Sequence, residues 1–400
     1  MTETIRALEA EQLMAHVRNI CEQIGPRPAI TRNERRAAEF VRQELWAAGV
    51  EDVREQKFSS IDSSGWGVLP YAVTAALVQP LGFFGWFGKL LSSAALLGAA
   101  FSFRETLLAK RPFYQRVFEM GESQNVHARI APSGQTRRIL YLVAHLDTNK
   151  QRLSKPGFAP AATKWVNTAG MLITIASALS LFGAAFGRQK SKGAIAVQGA
   201  ASTVSLVTLI SLVIDEMFPY VDGANDNASG IAVLLGIAAA LKEQPLQHTE
   251  VNLLFTGSQE ALSGGMHSYL EQFAPPQDNS YWINVEMVGA GQVCYVTQHG
   301  ESFLSEYRPG PRITALAAEV ARQKPELGVT GRPLPLVDEV APLVQRGYEA
   351  ICISGYGENG TPPNWHRRSD TVANIESETL GRAGEYVWSL VQAVDQEAGR

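Results

Sequence analysis

Cysteine is scarce in this chain. The three that occur, Cys21, Cys294 and Cys352, lie far apart and show no C-x-x-C spacing. That excludes a disulfide framework and a zinc knuckle, and it suits a reducing compartment. A basic block is also missing, and the formal net charge is -4, so nucleic acid is not expected as a partner. The opening stretch "MTETIRALEAEQLMAHVRNICEQIG" has no apolar run after its Met. It reads as an amphipathic, charged helix, and no signal peptide is expected.

Charge is nearly absent from two long segments. Between Asp62 and Arg104 the one charged residue is Lys89; between Lys164 and Asp215 the charges Arg188, Lys190 and Lys192 cluster in the middle. Uncharged runs of about 18 residues or more can cross a hydrocarbon core about 30 Å thick. Residues 64–103 and 165–214 therefore read as two apolar helical hairpins, turning at "GFFGWFGK" and "FGRQKSKG", inserted into one domain of residues 1–400. Their many Ala, Gly and Ser residues fit close helix packing inside a membrane. A lipid bilayer is thus an expected partner; burial in the protein or a homo-oligomer built through the hairpins is the soluble alternative. Lys57, Arg104, Lys110, Arg111, Lys150, Arg152, Lys155 and Lys164 flank the hairpin bases. That excess places the remaining domain on the cytoplasmic side. The hairpins leave the domain on either side of "NVHARI…YLVAHLD", so packing as one four-helix unit beside the functional rim is expected.

The rest of the chain alternates. "TRNERRAAEFVRQELWAAGV", "GIAVLLGIAAALKEQ", "GGMHSYLEQF" and "PRITALAAEVARQK" have helical patterning, whereas "EDVREQKF", "NVHARI", "RRILYLVAHLD", "EVNLLFTG", "YWINVEMVG" and "EAICISGYG" are strand-like. Such alternation indicates an α/β fold with a mixed, mostly parallel central sheet and helices on both faces. Ligands in these sheets bind beyond the carboxyl ends of the strands, which is where the polar residues of this sequence collect.

Five stretches carry them. "LVAHLDT" brings His145 and Asp147, two residues apart and so on the same side of a strand end. "DGANDNASG" brings Asp226, "GSQEALSGG" Glu260, "INVEMVG" Glu286, and "NWHRRSDT" His366 with Asp370 behind it. Singly, each has an ordinary use, and Asp226 in particular could cap the apolar helix that follows. Glu286 is harder to set aside, because an acidic group in an apolar strand costs several kcal/mol unless paired or metal-bound. Two histidines with three carboxylates suit a pair of zinc-like ions with one carboxylate bridging; manganese or cobalt would accept the same ligands.

Taken in order, these stretches resemble the co-catalytic zinc aminopeptidases, a family of zinc exopeptidases whose relatives include glutamate carboxypeptidases and glutaminyl cyclases. "DGANDNASGIAVLL" and "HRRSDTVANIE" carry most of the likeness, supported by "ICEQIGPRP" and "RRAAEFVRQEL". The resemblance implies two bound zinc ions held by His145, Asp226, Glu260, Glu286 and His366, with Asp226 bridging and Asp147 orienting His145. It implies a metallopeptidase acting on a peptide or aminoacyl substrate. Three departures stand out: Glu286 occupies a position where the family usually has Asp, the loop after His145 holds a hairpin, and Gln259 replaces the Glu that serves the family as catalytic base. An amide can orient a water by hydrogen bonds, but it cannot take the water's proton. Three accounts of Gln259 follow. Asp338 or Glu339 supplies the base; the protein is a catalytically silent relative that binds metal and peptide; or the residue was substituted to trap substrate. Acyl transfer of the glutaminyl cyclase kind is a further alternative activity.

Overall fold

We describe residues 6–111, 120–153, 160–187 and 192–400 of a computed structural model of the chain. Eight strands form one sheet: β1 (Asp52–Ser60), β2 (Gly121–Ile130), β3 (Arg138–His145), β4 (Thr249–Thr256), β5 (Ser280–Val285), β6 (Gln292–Gln298), β7 (Thr330–Pro333) and β8 (Glu349–Tyr356). Their order is β1-β2-β4-β3-β5-β8-β6-β7. The central strands β4, β3, β5 and β8 run parallel, as do β6 and β7, while β1, β2 and the β6–β8 pair are antiparallel. The mixed, mostly parallel sheet expected from the sequence is present. Strands β6 and β7 were not expected, because "QVCYVTQ" sits among turns and "TGRP" has no apolar pattern.

The central strands are apolar on both faces because both faces are covered. In β3, Leu140, Leu142 and Ala144 pack into the larger core, whereas Tyr141 and Val143 pack into the smaller one. Helices α1 (Ala10–Gln23) and α2 (Arg32–Ala47) lie at the amino-terminal side of the chain. Two hairpins follow, α3 (Gly65–Leu77) with α4 (Gly85–Thr106), and α5 (Pro160–Ala185) with α6 (Lys192–Met217). The remaining helices are α7 (Ser229–Glu243), α8 (Gly264–Phe273), α9 (Pro311–Gln323), α10 (Val340–Val344) and α11 (Ser377–Gly399). Helices α1, α2, α7, α9 and α11 cover the larger core, with Leu13, Val41, Ile237, Ile313 and Val387 buried there. Helices α8 and α10 cover the smaller one through Met266 and Leu343.

The hairpins form one four-helix unit, with α4 along α5, α3 along α6, α3 against α4 and α5 against α6. Small side chains allow the close approach: Ala75, Leu96, Ala178 and Leu181 form one buried cluster, and Tyr71, Ala72, Ala99, Phe103 and Met171 another. The Tyr71 and Phe103 rings stack at 4.4 Å. The first hairpin is asymmetric. Its first arm is a 13-residue helix containing Pro70, followed by a short turn of helix at Gln79–Phe83, so that arm is not one long span. The tip is tight, with Gly85 in the left-handed region at φ 67. In the second tip, Arg188 and Lys190 lie outside the described residues, as does Lys155 at the base.

By length and composition, α4, Ala162–Ala185, α6 and Ala224–Glu243 could each cross a membrane. The last of these is 94% buried against the sheet and belongs to the core, whereas α6 is only 11% buried. Large apolar side chains such as Phe84, Trp86, Trp165 and Phe186 point outward from the four-helix unit.

One buried side chain ties the loops beneath the strand ends together. Arg27 donates to the carbonyls of Leu146 (2.9 Å), Gly25 (3.0 Å), Asp222 (2.9 Å) and Gly223 (2.9 Å), and it is fully buried. Replacing it by Met leaves these carbonyls without their donors. Each unsatisfied buried group costs about 1–3 kcal/mol. Arg27→Met is therefore expected to lower stability by about 3 kcal/mol or more, read as a fall in the denaturation midpoint. A midpoint equal to that of the unaltered protein would contradict the clamp.

Candidate metal centre

The carboxyl ends of β3, β4, β5 and β8 open onto one buried cluster. His145 is the last residue of β3, Glu260 follows β4, Glu286 follows β5 directly, and His366 lies on the loop after β8. Asp226 arrives from the loop between the second hairpin and α7, where its peptide bond to Asn227 is cis. The start of α7, just after this loop, comes close to the sheet: a Cβ on Gly230 would collide with the Val285 carbonyl, so only glycine fits there. Ser258, Met287 and His366 all adopt positive φ, at 52, 56 and 52. Left-handed conformations at non-glycine residues are uncommon and gather where surrounding structure imposes them.

All five residues expected as ligands come together. Asp226 stands between the two imidazoles, with Oδ1 3.1 Å from His145 Nε2 and Oδ2 3.2 Å from His366 Nε2. Glu260 Oε1 lies 3.0 Å from the same His366 nitrogen. Two sets of ligand atoms result, His145–Asp226–Glu286 and Asp226–Glu260–His366, each gathered within 4.8 Å and sharing Asp226. The chemistry fits a cation. His145 Nδ1 is 3.0 Å from the Asp147 carbonyl, so Nδ1 carries the proton and donates a hydrogen bond to it. In the neutral ring, Nε2 then turns a lone pair towards a carboxylate oxygen. Such a contact needs a positive charge between the two atoms, supplied by a proton or by a metal ion.

A third group, Glu286, Asp338 and Cys352, meets the same distance limit. Burial pushes the Cys352 thiol well above its ordinary pKa, and the charges of Asp338 and Glu286 add to the effect. A cation there would have to displace the thiol's proton.

Asp147 does more than the sequence indicates. Its carboxylate lies 3.6 Å from His145 Nδ1, while the orienting contact comes from its own main-chain carbonyl. The carboxylate accepts the N–H groups of Gln259 (2.9 Å) and Glu260 (3.0 Å). Two further buried residues continue the pattern. Glu34 Oε1 accepts the Ser258 N–H at 2.8 Å, and Asn125 Oδ1 accepts the Gly257 N–H at 3.0 Å. Four consecutive N–H groups thus end on side-chain acceptors and fix the turn that presents Gln259 and Glu260. Asp370 acts likewise on the other loop, accepting from Asn225 N (2.6 Å) and Asp226 N (3.1 Å). It holds the Asp226 loop and is not a partner of His366.

Sequence reasoning missed Glu34, Asn149 and Arg152. Asn149 Nδ2 donates to Glu260 Oε2 at 2.6 Å. Its Oδ1 accepts from Arg152 Nε at 2.9 Å, and Arg152 pairs with Glu216, at the end of α6, at 2.6 Å. Asn149 and Arg152 follow His145 closely, but nothing in their spacing announces a partner in a distant helix.

Burial shifts several of the ionisable groups here. It tends to lower the pKa of both histidines. For His145 the hydrogen bonds of Asp147 and Asp226, with the charge of Glu286, outweigh it; for His366 Glu260 and Asp226 do. Both imidazoles are therefore raised above the ordinary range. Asp226, although buried, is held well below the usual carboxylate range by the two histidines. Burial raises Glu286 far above it. Glu34 rises to about 8 through burial and the charge of Asp147, and Asp370 rises to about 7 through burial and the charge of Asp226.

A chamber of about 140 Å³ lies over the cluster, with Asn149, Gln259, Glu260, Glu286, Trp365 and His366 in its wall. Asp338 and Glu339 do not line it. Glu339 accepts from Thr256 Oγ1 at 2.6 Å and is raised to about 7 by burial. Asp338 accepts the Val340 N–H at 3.0 Å and stands 3.4 Å from His299 Nδ1. Both are fully buried.

Two outcomes follow. Because the imidazole pKa values are raised, each ring keeps its proton to higher pH, and a metal must displace it. Zinc binding is expected to release protons and to weaken as pH falls. Calorimetry in two buffers of different ionisation heat checks this, and an enthalpy independent of the buffer would contradict it. The Asn149–Arg152 chain orients a ligand from behind, and disruption of such support typically costs 10–100-fold in metal affinity. Arg152→Met is expected to weaken zinc binding by about that factor with helix content retained, as checked by metal titration alongside circular dichroism.

Comparison with known proteins supports this reading of the fold. Residues 207–391 match Peptidase family M28. No curated protein matches the chain by sequence. The zinc aminopeptidase BSAP of Bacillus subtilis is 15% identical, with 96% of this chain and 94% of that chain covered at a TM-score of 0.57. A glutaminyl cyclase of Porphyromonas gingivalis is 16% identical, covering 96% and 97% at 0.56. A Zn-dependent exopeptidase of Parabacteroides distasonis is 14% identical, covering 97% and 99% at 0.55. At these identities the likeness is one of fold. The chain has the architecture of the zinc exopeptidases, and the part of it that carries Asp226, Glu260, Glu286 and His366 matches Peptidase family M28.

Proposed function

We propose that the protein is a membrane-associated, zinc-dependent metallopeptidase of aminopeptidase type, acting on peptide or aminoacyl substrates. The observation that carries the proposal is the Asp226 carboxylate, which presents one oxygen to each histidine. His145, Asp226 and Glu286 would hold one ion; Asp226, Glu260 and His366 would hold the other. When bound, such a pair lowers the pKa of water towards about 7 and polarises a carbonyl.

The chain's own groups do the rest. Asp147, Glu34 and Asn125 fix the turn at Gly257–Glu260 through its N–H groups. Asn149 orients Glu260, and Gln259 in the chamber wall can hold a water or a carbonyl by hydrogen bonds. It has no basic lone pair. General base catalysis is typically worth about 10²–10⁴ in rate, so turnover by the unaltered chain is expected to be slow. Asp338 and Glu339 are fully buried and do not line the chamber, which weakens the view that either replaces the missing base. A silent relative that binds metal and peptide is the second reading, favoured by Gln259 alone. Acyl transfer of the cyclase kind is less well supported, because a one-metal site has no need of His145 beside Asp226.

Membrane association rests on the four-helix unit. At about 1.5 Å per residue, the 22 residues of α4 and the 26 each of α5 and α6 are about 33 Å and 39 Å long. These lengths match a bilayer core, and the unit's outward surface is apolar. The basic residues at its base favour a cytoplasmic catalytic domain.

Hydrolysis of a panel of aminoacyl and peptide substrates, by the unaltered chain beside Gln259→Glu and with and without a chelator, tests the proposal. The expected result is chelator-sensitive turnover in the Glu form, faster by about 10²–10⁴. Inert proteins in every arm, despite bound zinc, would favour the silent relative.

A further inference from the structure

The active-site chamber has a neighbour. A second cavity of about 260 Å³ lies between the roots of α3, α4, α5 and α6. Ser64, Val68, Leu107 and Glu301 line both spaces, so the two adjoin across these side chains. Away from the metal cluster, Phe103, Val166, Val207 and Leu212 form the apolar part of its wall; the wall also carries Arg152, paired with Glu216, and Asp215, which accepts the Leu153 N–H. Val166 and Val207 are 66% and 57% exposed. The cavity therefore reaches the outer surface of the four-helix unit where α5 begins and α6 ends. The adjacent Trp165 and Leu206 are exposed there too, so its mouth is apolar on both sides.

The loop that carries Glu301 is fastened to the helices, which makes this wall a built one. Asn167 donates to the Glu301 carbonyl at 2.9 Å, Thr168 and Ser302 share a hydrogen bond at 2.9 Å, and the Phe303 N–H donates to Thr168 at 3.0 Å. The cavity is made by the hairpins.

Resting on the metallopeptidase reading, we infer that the substrate is amphipathic. Its amide head occupies the metal chamber, and a long alkyl chain attached to that head lies in the cavity between the hairpin roots. Such a molecule, resident in a bilayer, passes from the apolar exterior of α5 and α6 to the chamber without its chain crossing water. Ligand cavities are mostly apolar with a few placed polar groups; here Phe103, Val166, Val207 and Leu212 would flank the chain, Arg152, Asp215 and Glu301 are the charged groups of the wall, and the metal cluster lies beyond the shared residues.

The test uses the full chain in lipid nanodiscs, loaded with zinc. Binding of leucine ethylamide, hexylamide and dodecylamide is measured by calorimetry and corrected for partitioning into empty nanodiscs. Each buried methylene is worth about fourfold in affinity, so a gain of about a hundredfold or more from ethyl to dodecyl is expected. Ser211 and Thr208 line the second cavity and not the first. Ser211→Trp and Thr208→Trp are expected to cut that gain to about tenfold or less, with zinc content and ethylamide affinity unchanged; either variant suffices if the other does not fold. An equal gain in all three proteins, or no gain in the unaltered one while ethylamide still binds, overturns the inference alone. Loss of zinc-dependent ethylamide binding in the unaltered protein overturns the metallopeptidase reading, and the inference falls with it.

Discussion

A single carboxylate organises the centre of this molecule. Asp226 is buried between His145 and His366 at 3.1 and 3.2 Å, where an isolated charge would be very costly. It remains ionised because both neighbours can carry positive charge or share a cation with it. The surrounding structure keeps the carboxylate in place. Asp370 holds the Asn225 and Asp226 N–H groups, and Arg27 grips the carbonyls of Asp222 and Gly223 just upstream. Arg27 also holds the Leu146 carbonyl, so the loop bearing the shared carboxylate and the strand bearing His145 are positioned by one guanidinium.

The same economy joins the centre to the hairpins. Glu260, Asn149, Arg152 and Glu216 form a continuous polar chain from a candidate ligand to the end of α6, and Ser63, at the root of the first hairpin, donates to Glu216 at 2.7 Å. Lys150 adds a contact to Glu216 at 2.8 Å. Apolar insertions are often treated as anchors independent of the domain they interrupt. Here both roots meet at Glu216, a half-buried acid linked through Arg152 and Asn149 to Glu260, so movement of the hairpins cannot be separated from the geometry of Glu260.

The legible part of this architecture was local. Central strands such as "ILYLVAH" and "YWINV" declare themselves as apolar runs, and ligands at strand ends fall where parallel sheets place their sites. Glu286 could be singled out because a carboxylate amid apolar residues needs a partner. The four-helix unit was legible from absent charge. What the sequence concealed depends on partners far along the chain. Glu34 meets Ser258 across more than two hundred residues of chain, and Arg152 finds Glu216 only after a whole hairpin has folded back. Strand β7, four residues long, is a strand because β6 lies beside it. Even Asp147, correctly placed near His145, spends its carboxylate on the backbone of another loop.

That last detail bears on Gln259. The turn from Gly257 to Glu260 is held through four main-chain N–H groups, by Asn125, Glu34 and Asp147. None of these bonds involves the side chain at position 259. Exchange of a carboxylate for an amide there alters the proton chemistry of the chamber and leaves the scaffold of Glu260 as it was. The side chain at position 259 can therefore be carboxylate or amide without altering the support of Glu260, because that support is given to main-chain atoms. The centre consequently retains its full set of candidate ligands beside a residue that cannot accept a proton.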